Sequence, residues 1–515
     1  MTQSQTERYV LAVDIGTTST KTLVIDAQGT VIASHSEEYP MYTPSPDMAE
    51  QDPDEIFQAV KKGIRAVTAQ SQAAPSQFIC VSFSAAMHSI LAVNEQLEPL
   101  TRSVIFADNR SAPFVETLRN EYDAHRIYRS TGTPIHPMSP LLKLMWFKKH
   151  RPELFRSNVK FIGIKEYVLA KLFGKLVVDY SIASATGLFN LNELWWDQLA
   201  LEAAGVNPSQ LPEPVDTTYR LEGLSKETAE QLGLLPDTPF VVGASDGVLA
   251  NLGIGAIDRG VYAVTIGTSG AVRGVVGKPS TDEKERLFCY ALNKDFWVVG
   301  GAINNGGIML RWVRDQLATL EAEYARKKGV DPYEELARIA ESVKPGSDGL
   351  IFLPLLTGER APYWNANARG VFFGLSLFHE KKHMIRAVME GVMYRIHSVV
   401  TALEENSGPA KEIRASGGFA RSAFWRQMMA DVLSAPVKVP QSIESSGLGA
   451  AKLGLLAAGE VKQLQELDHW VNIVHQHEAD EQNHRVYERL ASIYMDVYHS
   501  LKKSFDDIAQ FQKEY

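Results

Sequence analysis

Short apolar runs alternate along the chain with stretches of helical spacing, and small turns punctuate both. The first run, YVLAVDIGTTSTKTLVID (Tyr9–Asp26), climbs through β-favouring residues to Asp14, passes a hydroxyl-rich glycine turn and resumes at Leu23, Val24 and Ile25. This pattern predicts a β-hairpin. A second copy stands in VYAVTIGTSGAVRGVV (Val261–Val276). With Ala12 set on Ala263, the residues up to Thr17 repeat at every position but Asp14, which Thr265 replaces. The offset is close to half of 515 residues. It predicts two similar domains, 1–257 and 258–515, each opening on strand, glycine turn and strand, with the boundary near the glycine-rich GIGAIDRG (Gly253–Gly260).

Between the hairpins, Phe78–Phe83 and Pro239–Gly243 read as strands, while Leu141–Lys149, Lys165–Phe173 and Val248–Leu252 have helical spacing. The second half repeats the alternation with Trp297–Val299, Leu350–Leu353, a helix around His383–Val400 and Lys411–Ala415. The expected class is α/β with substantial parallel pairing. Residues from Glu478 to Lys513 read as an amphipathic helical cap.

Apolar residues make up 45% of the chain and charged residues 22%, the balance of a globular protein. A net charge of −9 argues against phosphate-backbone binding, so nucleic acid is not an expected partner. No apolar run is long enough to span a bilayer, and the first ten residues lack the core of a secretory signal. Two cysteines, Cys80 and Cys289, cannot build a disulfide framework. The expected setting is therefore the cytoplasm, with no membrane partner.

Glycine turns that follow strands suit anions, because backbone N–H groups approach closely there. The turns are Gly16-Thr17-Thr18, Gly267-Thr268-Ser269-Gly270, Asn304-Asn305-Gly306-Gly307 and Ser416-Gly417-Gly418. Neither GxxxxGK[ST] nor GxGxxG occurs, so a phosphate binder here needs another geometry. Asp14, ending the first strand, can hold a hydrated Mg²⁺. GASDG (Gly243–Gly247) is a literal GxSxG with Ser245 as its serine, but no oxyanion segment or triad partner accompanies it. The better reading makes Asp246 the base that accepts a hydroxyl proton, against the plain alternative of a helix cap. HEKKH (His379–His383) matches a zinc-peptidase pattern yet straddles a helix start, so a solvated helix entrance is the better account. His475, His477 and His484 read as surface residues. Ser84, His88, Asp108, Asn109 and Arg110 follow apolar runs and are candidates to converge at strand ends. Arg110 suits a carboxylate.

These motifs together resemble the FGGY family of carbohydrate kinases, within the actin/hexokinase-like superfamily. DIGTTSTK (Asp14–Lys21) is similar to the family's first phosphate hairpin. MSPLLKLMWFKKH (Met138–His150) and GVFFGLSLFHEKKHMIRAVME (Gly370–Glu390) fit its two signatures, and GASDG carries its catalytic aspartate. GTSG and SGGFARS resemble the second phosphate hairpin and the adenosine-side loop. The resemblance implies two actin/hexokinase-like (ribonuclease H-like) domains around a central cleft, with the sugar in the first and ATP against the second. SAAMHS, ADNRS and Ile164–Leu191 are similar to the family's gluconate kinases. The implied reaction is ATP-dependent phosphorylation of D-gluconate at its terminal hydroxyl. It assigns Asp246 as catalytic base, and Met87, His88, Arg110, Lys165 and Asp246 as substrate contacts. Lys165 is the weaker carboxylate partner, its helical neighbours suggesting that it snorkels. Thr17, Thr18, Ser19, Lys21, Gly267, Thr268, Gly306, Gly307, Gly417, Gly418 and Ser422 are implied ATP contacts, with Asp14 organising Mg²⁺. A homodimer stays open. Alternatives are another sugar of the family, such as xylulose or another polyol, and a silent nucleotide-binding regulator. Asp14, Lys21 and Asp246 together speak against silence.

Overall fold

The computed structural model describes residues 7–441 and 444–514. They form two compact units. Among the described residues, the first comprises 7–255, 276–298 and 444–471; the second comprises 256–275, 299–441 and 472–514. A single boundary after residue 257 therefore does not describe them. Two later segments pack with the first unit.

The first unit is built on a six-stranded sheet. Its strands are β1 (Tyr9–Ile15), β2 (Ser19–Ile25), β3 (Val31–Glu38), β4 (Phe78–Ala85), β5 (Arg220–Leu221) and β6 (Phe240–Ser245), in the order β5-β6-β4-β1-β2-β3. β1 pairs parallel with β4, and β4 with β6, while β1, β2 and β3 form an antiparallel meander. Leu11, Val13, Val81, Phe83, Phe240 and Val242 are fully or almost fully buried, the near-continuous apolar strand content that a covered parallel sheet requires. One face is covered by α1 (Pro53–Ser71), which starts on Asp52 as cap and turns Ile56, Val60, Ile64 and Val67 inward. Further helices are α2 (Pro140–His150), α3 (Ile164–Phe173), α4 (Tyr180–Ser184) and α5 (Asp246–Gly253), the last springing directly from β6.

In the second unit the recurring hairpin is β7 (Val261–Ile266) and β8 (Gly270–Val276), followed by β9 (Trp297–Ile303), α6 (Pro332–Glu341), α7 (Lys381–Ser407), β10 (Glu412–Ser416), α8 (Ala423–Leu433) and β11 (Val437–Pro440). The chain then returns to the first unit as α9 (Ser445–Ala458). It completes the second with β12 (Ile473–His477), α10 (Glu481–Ser500) and α11 (Lys502–Glu514). Six of the seven strands of the second sheet run β9-β8-β7-β10-β11-β12, with β7, β10 and β11 parallel. The C-terminal cap is thus two helices, broken at Leu501.

Small residues explain why α9 belongs to the first unit. A Cβ added to Gly449 would stand 2.0 Å from the Leu249 carbonyl, and one on Gly253 would stand 1.8 Å from that of Ser445. Larger side chains would push α9 off α5, as overpacking does. A Cβ on Gly454 would stand 2.9 Å from Cys80 Sγ and 3.0 Å from Ser82 Cβ on β4.

Candidate active site

Strand register gathers the first group of polar residues. Asp14 on β1 lies beside Ser84 on β4, and Ser84 beside Ala244 on β6. Asp14 and the start of α5 therefore open at the same carboxyl ends of parallel strands, about 10 Å apart across two strand spacings. Ligands of open α/β sheets bind at such ends. Gly243, with φ +69° and a would-be Cβ 1.7 Å from the Phe83 carbonyl, lets β6 kink before Ser245. Asp246, the first residue of α5, is half-buried, and its Oδ1 accepts from the Gly247 N–H at 2.6 Å. Ser245 is buried at 2.9 Å from the Ser181 hydroxyl, which places it in the core and removes the nucleophile-elbow reading.

Asp14 also faces Lys21 across the hairpin. Both reach α9. Ser446 donates to Asp14 Oδ2 at 2.6 Å, and Lys21 Nζ lies 2.7 Å from Glu444 Oε1. Among the described residues, Asp14 Oδ1 is buried with no hydrogen-bond partner. One carboxylate with an uncommitted oxygen fits a largely hydrated Mg²⁺. Among the described residues no group of three or more acidic, histidine or cysteine side chains is placed to cage a metal. In the turn itself, Gly16 N–H donates to Ser19 O and Tyr39 hydroxyl donates to Gly16 O, leaving Thr17, Thr18 and Ser19 at least partly accessible.

The sugar-side candidates are buried and heavily committed. Arg110 donates from Nε and Nη2 to Asp108 at 2.7–3.0 Å, and from Nη2 to Glu50 at 2.6 Å, with its guanidinium 5.0 Å from the Trp146 ring. Its charge is balanced inside the protein. Met87 is half-buried, Asn109 is exposed, and His88 is buried with Nδ1 donating to the Ala185 carbonyl at 2.8 Å. Lys165 does not snorkel. It is 1% exposed and its Nζ lies 2.5 Å from the fully buried Asp179, so its charge is spent there. Beside it, burial pushes the Glu166 carboxyl up to about 7.

Lys143 on α2 is a residue that the site reading missed. It is fully buried, and its Nζ donates to the carbonyls of His88 and Ile105, both at 2.7 Å. Burial pulls its pKa down to about 7, opposed by Asp108 and reinforced by Arg110. An unfolded lysine keeps its proton to about 10.4. Across that window the unfolded chain binds more protons, so the Lys143 contribution makes stability rise with pH from about 7 towards 10. Replacing Lys143 by Met is expected to flatten that rise, measured by urea unfolding at about pH 7.5 and about pH 9.5. An unchanged slope would contradict the shift.

In the second unit, a cavity of about 550 Å³ is lined by Gly267, Thr268, Gly307, Gly418 and Ser422, together with Tyr333. Gly306 and Gly417 do not line it. Gly306 N–H donates to Thr268 O and Gly307 N–H to Gly267 O, so those two amides tie one turn to the other. A Cβ on Gly417 would stand 2.4 Å from the Ile266 carbonyl. Thr265, where the first hairpin has Asp14, shares a 2.9 Å hydroxyl contact with Ser416.

Behind the turns lies Glu359, another residue the site reading missed. Its Oε1 accepts from the Asn304 and Arg360 N–H groups at 2.6 and 2.9 Å, and its Oε2 pairs with Arg395 on α7 at 3.2 Å. Glu359 and Arg395 side chains are both 0% exposed. The HEKKH pattern straddles the start of α7, as expected, but His383 is buried and 3.4 Å from Asp348, so the entrance is not solvated at that position. His475 is exposed, whereas His477 and His484 are half-buried against α8.

Residues 9–253 match the N-terminal domain, and residues 262–458 the C-terminal domain, of the FGGY family of carbohydrate kinases. The chain belongs to that family. An FGGY kinase has this two-domain, actin/hexokinase-like architecture of mixed α/β sheets. The chain is 49% identical over 506 residues to a gluconokinase of Bacillus subtilis, covering 98% of each. It superimposes with a TM-score of 0.92 on a gluconate kinase from Lactobacillus acidophilus, at 36% identity and covering 98% of this chain and 100% of that one. A ligand-bound xylulose kinase from the same organism also gives 0.92 at 36% identity, covering 97% and 100%. Among the described residues of this FGGY kinase, no helix is long and apolar enough to cross a membrane.

Proposed function

We propose that this chain transfers the γ-phosphoryl group of ATP to the terminal hydroxyl of D-gluconate, giving 6-phospho-D-gluconate and ADP. The observation that carries the reading is its full-length similarity to the Bacillus gluconokinase. Asp246 takes the hydroxyl proton as that oxygen bonds to the γ-phosphorus and the bond to the β–γ bridging oxygen breaks. Met87, His88 and Arg110 hold the sugar acid. Arg110 acts there as a rigid hydrogen-bond donor, since Asp108 and Glu50 already balance its charge. Lys165 acts on the site only through its buried pair with Asp179.

Thr17, Thr18, Ser19 and Lys21 grip the transferring phosphoryl group. Gly267, Thr268, Gly418 and Ser422 seat the nucleotide, while Gly306, Gly307 and Gly417 shape the turns that carry them. Asp14 would hold the hydrated Mg²⁺, whose chemistry is charge neutralisation on the phosphates. The setting we propose is the cytoplasm, consistent with two buried free thiols.

Xylulose is the second reading, favoured by the equally good superposition on a xylulose kinase. A coupled ADP-release assay over gluconate, other sugar acids, xylulose and glycerol separates the two. The expected result is a kcat/KM for gluconate at least about tenfold above every neutral substrate. A preference for xylulose would overturn the gluconate assignment.

A further inference from the structure

Lys143 is a charged group that the reaction outlined above leaves without a task. A lysine at 1% exposure is expensive to bury, and Met would fill the same volume more cheaply. What the ammonium adds is a pair of hydrogen bonds to carbonyls on two different loops. The first is the carbonyl of His88, in the loop that leaves β4. His88 has φ +70°, a left-handed conformation that a residue with a Cβ holds only when its surroundings fix it. The second is the carbonyl of Ile105, which also accepts from the Asp108 N–H at 3.1 Å and so opens the turn that presents Asp108 and Arg110. An isolated bridge between Ile90 and Val104 lays the two loops side by side, and the Ala185 carbonyl holds the His88 ring.

We propose that Lys143 is a positioning residue that sets the spacing of these two loops and thereby the affinity for the sugar acid. It touches neither substrate; it acts through His88 and Arg110. The inference rests on the assignment of those two residues to sugar-acid binding. In either protonation state the amine keeps at least two N–H donors for the two carbonyls.

Lys143→Met keeps the stem length and removes both donors. The gluconate KM of the full-length enzyme is expected to rise roughly ten- to a hundredfold, as misplacement of binding groups does, while the ATP KM stays within about twofold. Hydrogen exchange should quicken in residues 86–89 and 105–111 and not in the second unit. A folded variant with unchanged gluconate KM, or with both KM values raised alike, overturns the proposal. If Lys143→Met does not fold, Lys143→Gln, which keeps an amide donor on a shorter stem, is held to the same split between the two KM values. His88→Ala, measured in parallel, separates the two levels. If it leaves the gluconate KM unchanged, the site assignment fails and the inference with it. If it raises that KM while Lys143→Met does not, only the role of Lys143 fails.

Discussion

Replacing Asp246 by Asn is expected to leave nucleotide binding intact and to lower turnover about 10²–10⁴-fold. The substitution keeps size, and the amide oxygen still accepts from the Gly247 N–H that now meets Oδ1. It removes the capacity to take a proton. Asp246 is the first residue of α5 and only half-buried, so a change in side-chain chemistry there need not disturb the core beneath it. The alternative task, capping α5, would show as lost stability with turnover largely kept. Calorimetric titration with ATP, urea unfolding and a steady-state assay on the same preparation distinguish these outcomes. Normal turnover in the folded variant would remove Asp246 from the chemistry.

Glu359→Gln is expected to cost about 3–5 kcal/mol of stability, because it leaves a fully buried cation without its counter-charge. Arg395 has other partners, donating to the Ala361 carbonyl at 2.6 Å and to Ser398 at 2.8 Å, and its guanidinium lies 4.4 Å from the Tyr363 ring. None of these is an anion. The same carboxylate holds the Asn304 N–H and the Asn305 side chain, so the turn carrying Gly306 and Gly307 should loosen. The ATP KM is therefore expected to rise more than the gluconate KM. Urea unfolding and the two KM values check both parts. A stability change below about 1 kcal/mol would mean that the Glu359–Arg395 pair contributes no more than an exposed one.

The two hairpins were legible because a strand, a glycine turn and a second strand recur with nearly the same letters at Ala12–Thr17 and Ala263–Thr268. The parallel strands were legible as apolar runs. GASDG was legible as a strand-to-helix turn, and α5 does spring directly from the end of β6. What stayed hidden were partners far apart in the chain. Ser446 reaches Asp14 across 432 positions and Glu444 reaches Lys21 across 423, and no local pattern announces either. For the same reason the return of α9 to the first unit was invisible, although its glycine-rich stretch is a fair signal of close helix packing. Lys165 was misread because its helix looked like one with a free face, while Asp179 waited fourteen residues on. The letters alone also do not show that a glycine turn spends its N–H groups on a neighbouring turn, as Gly306 and Gly307 do.

The central claim is transfer of a phosphoryl group to the terminal hydroxyl of gluconate. Incubating the full-length protein with ATP, Mg²⁺ and D-gluconate, and recording a phosphorus–proton correlation NMR spectrum of the product, tests it most directly. The expected result is a phosphate ester whose phosphorus couples to the two protons on C6 of gluconate. Absence of any phosphorylated sugar acid, with xylulose converted under the same conditions, would contradict it.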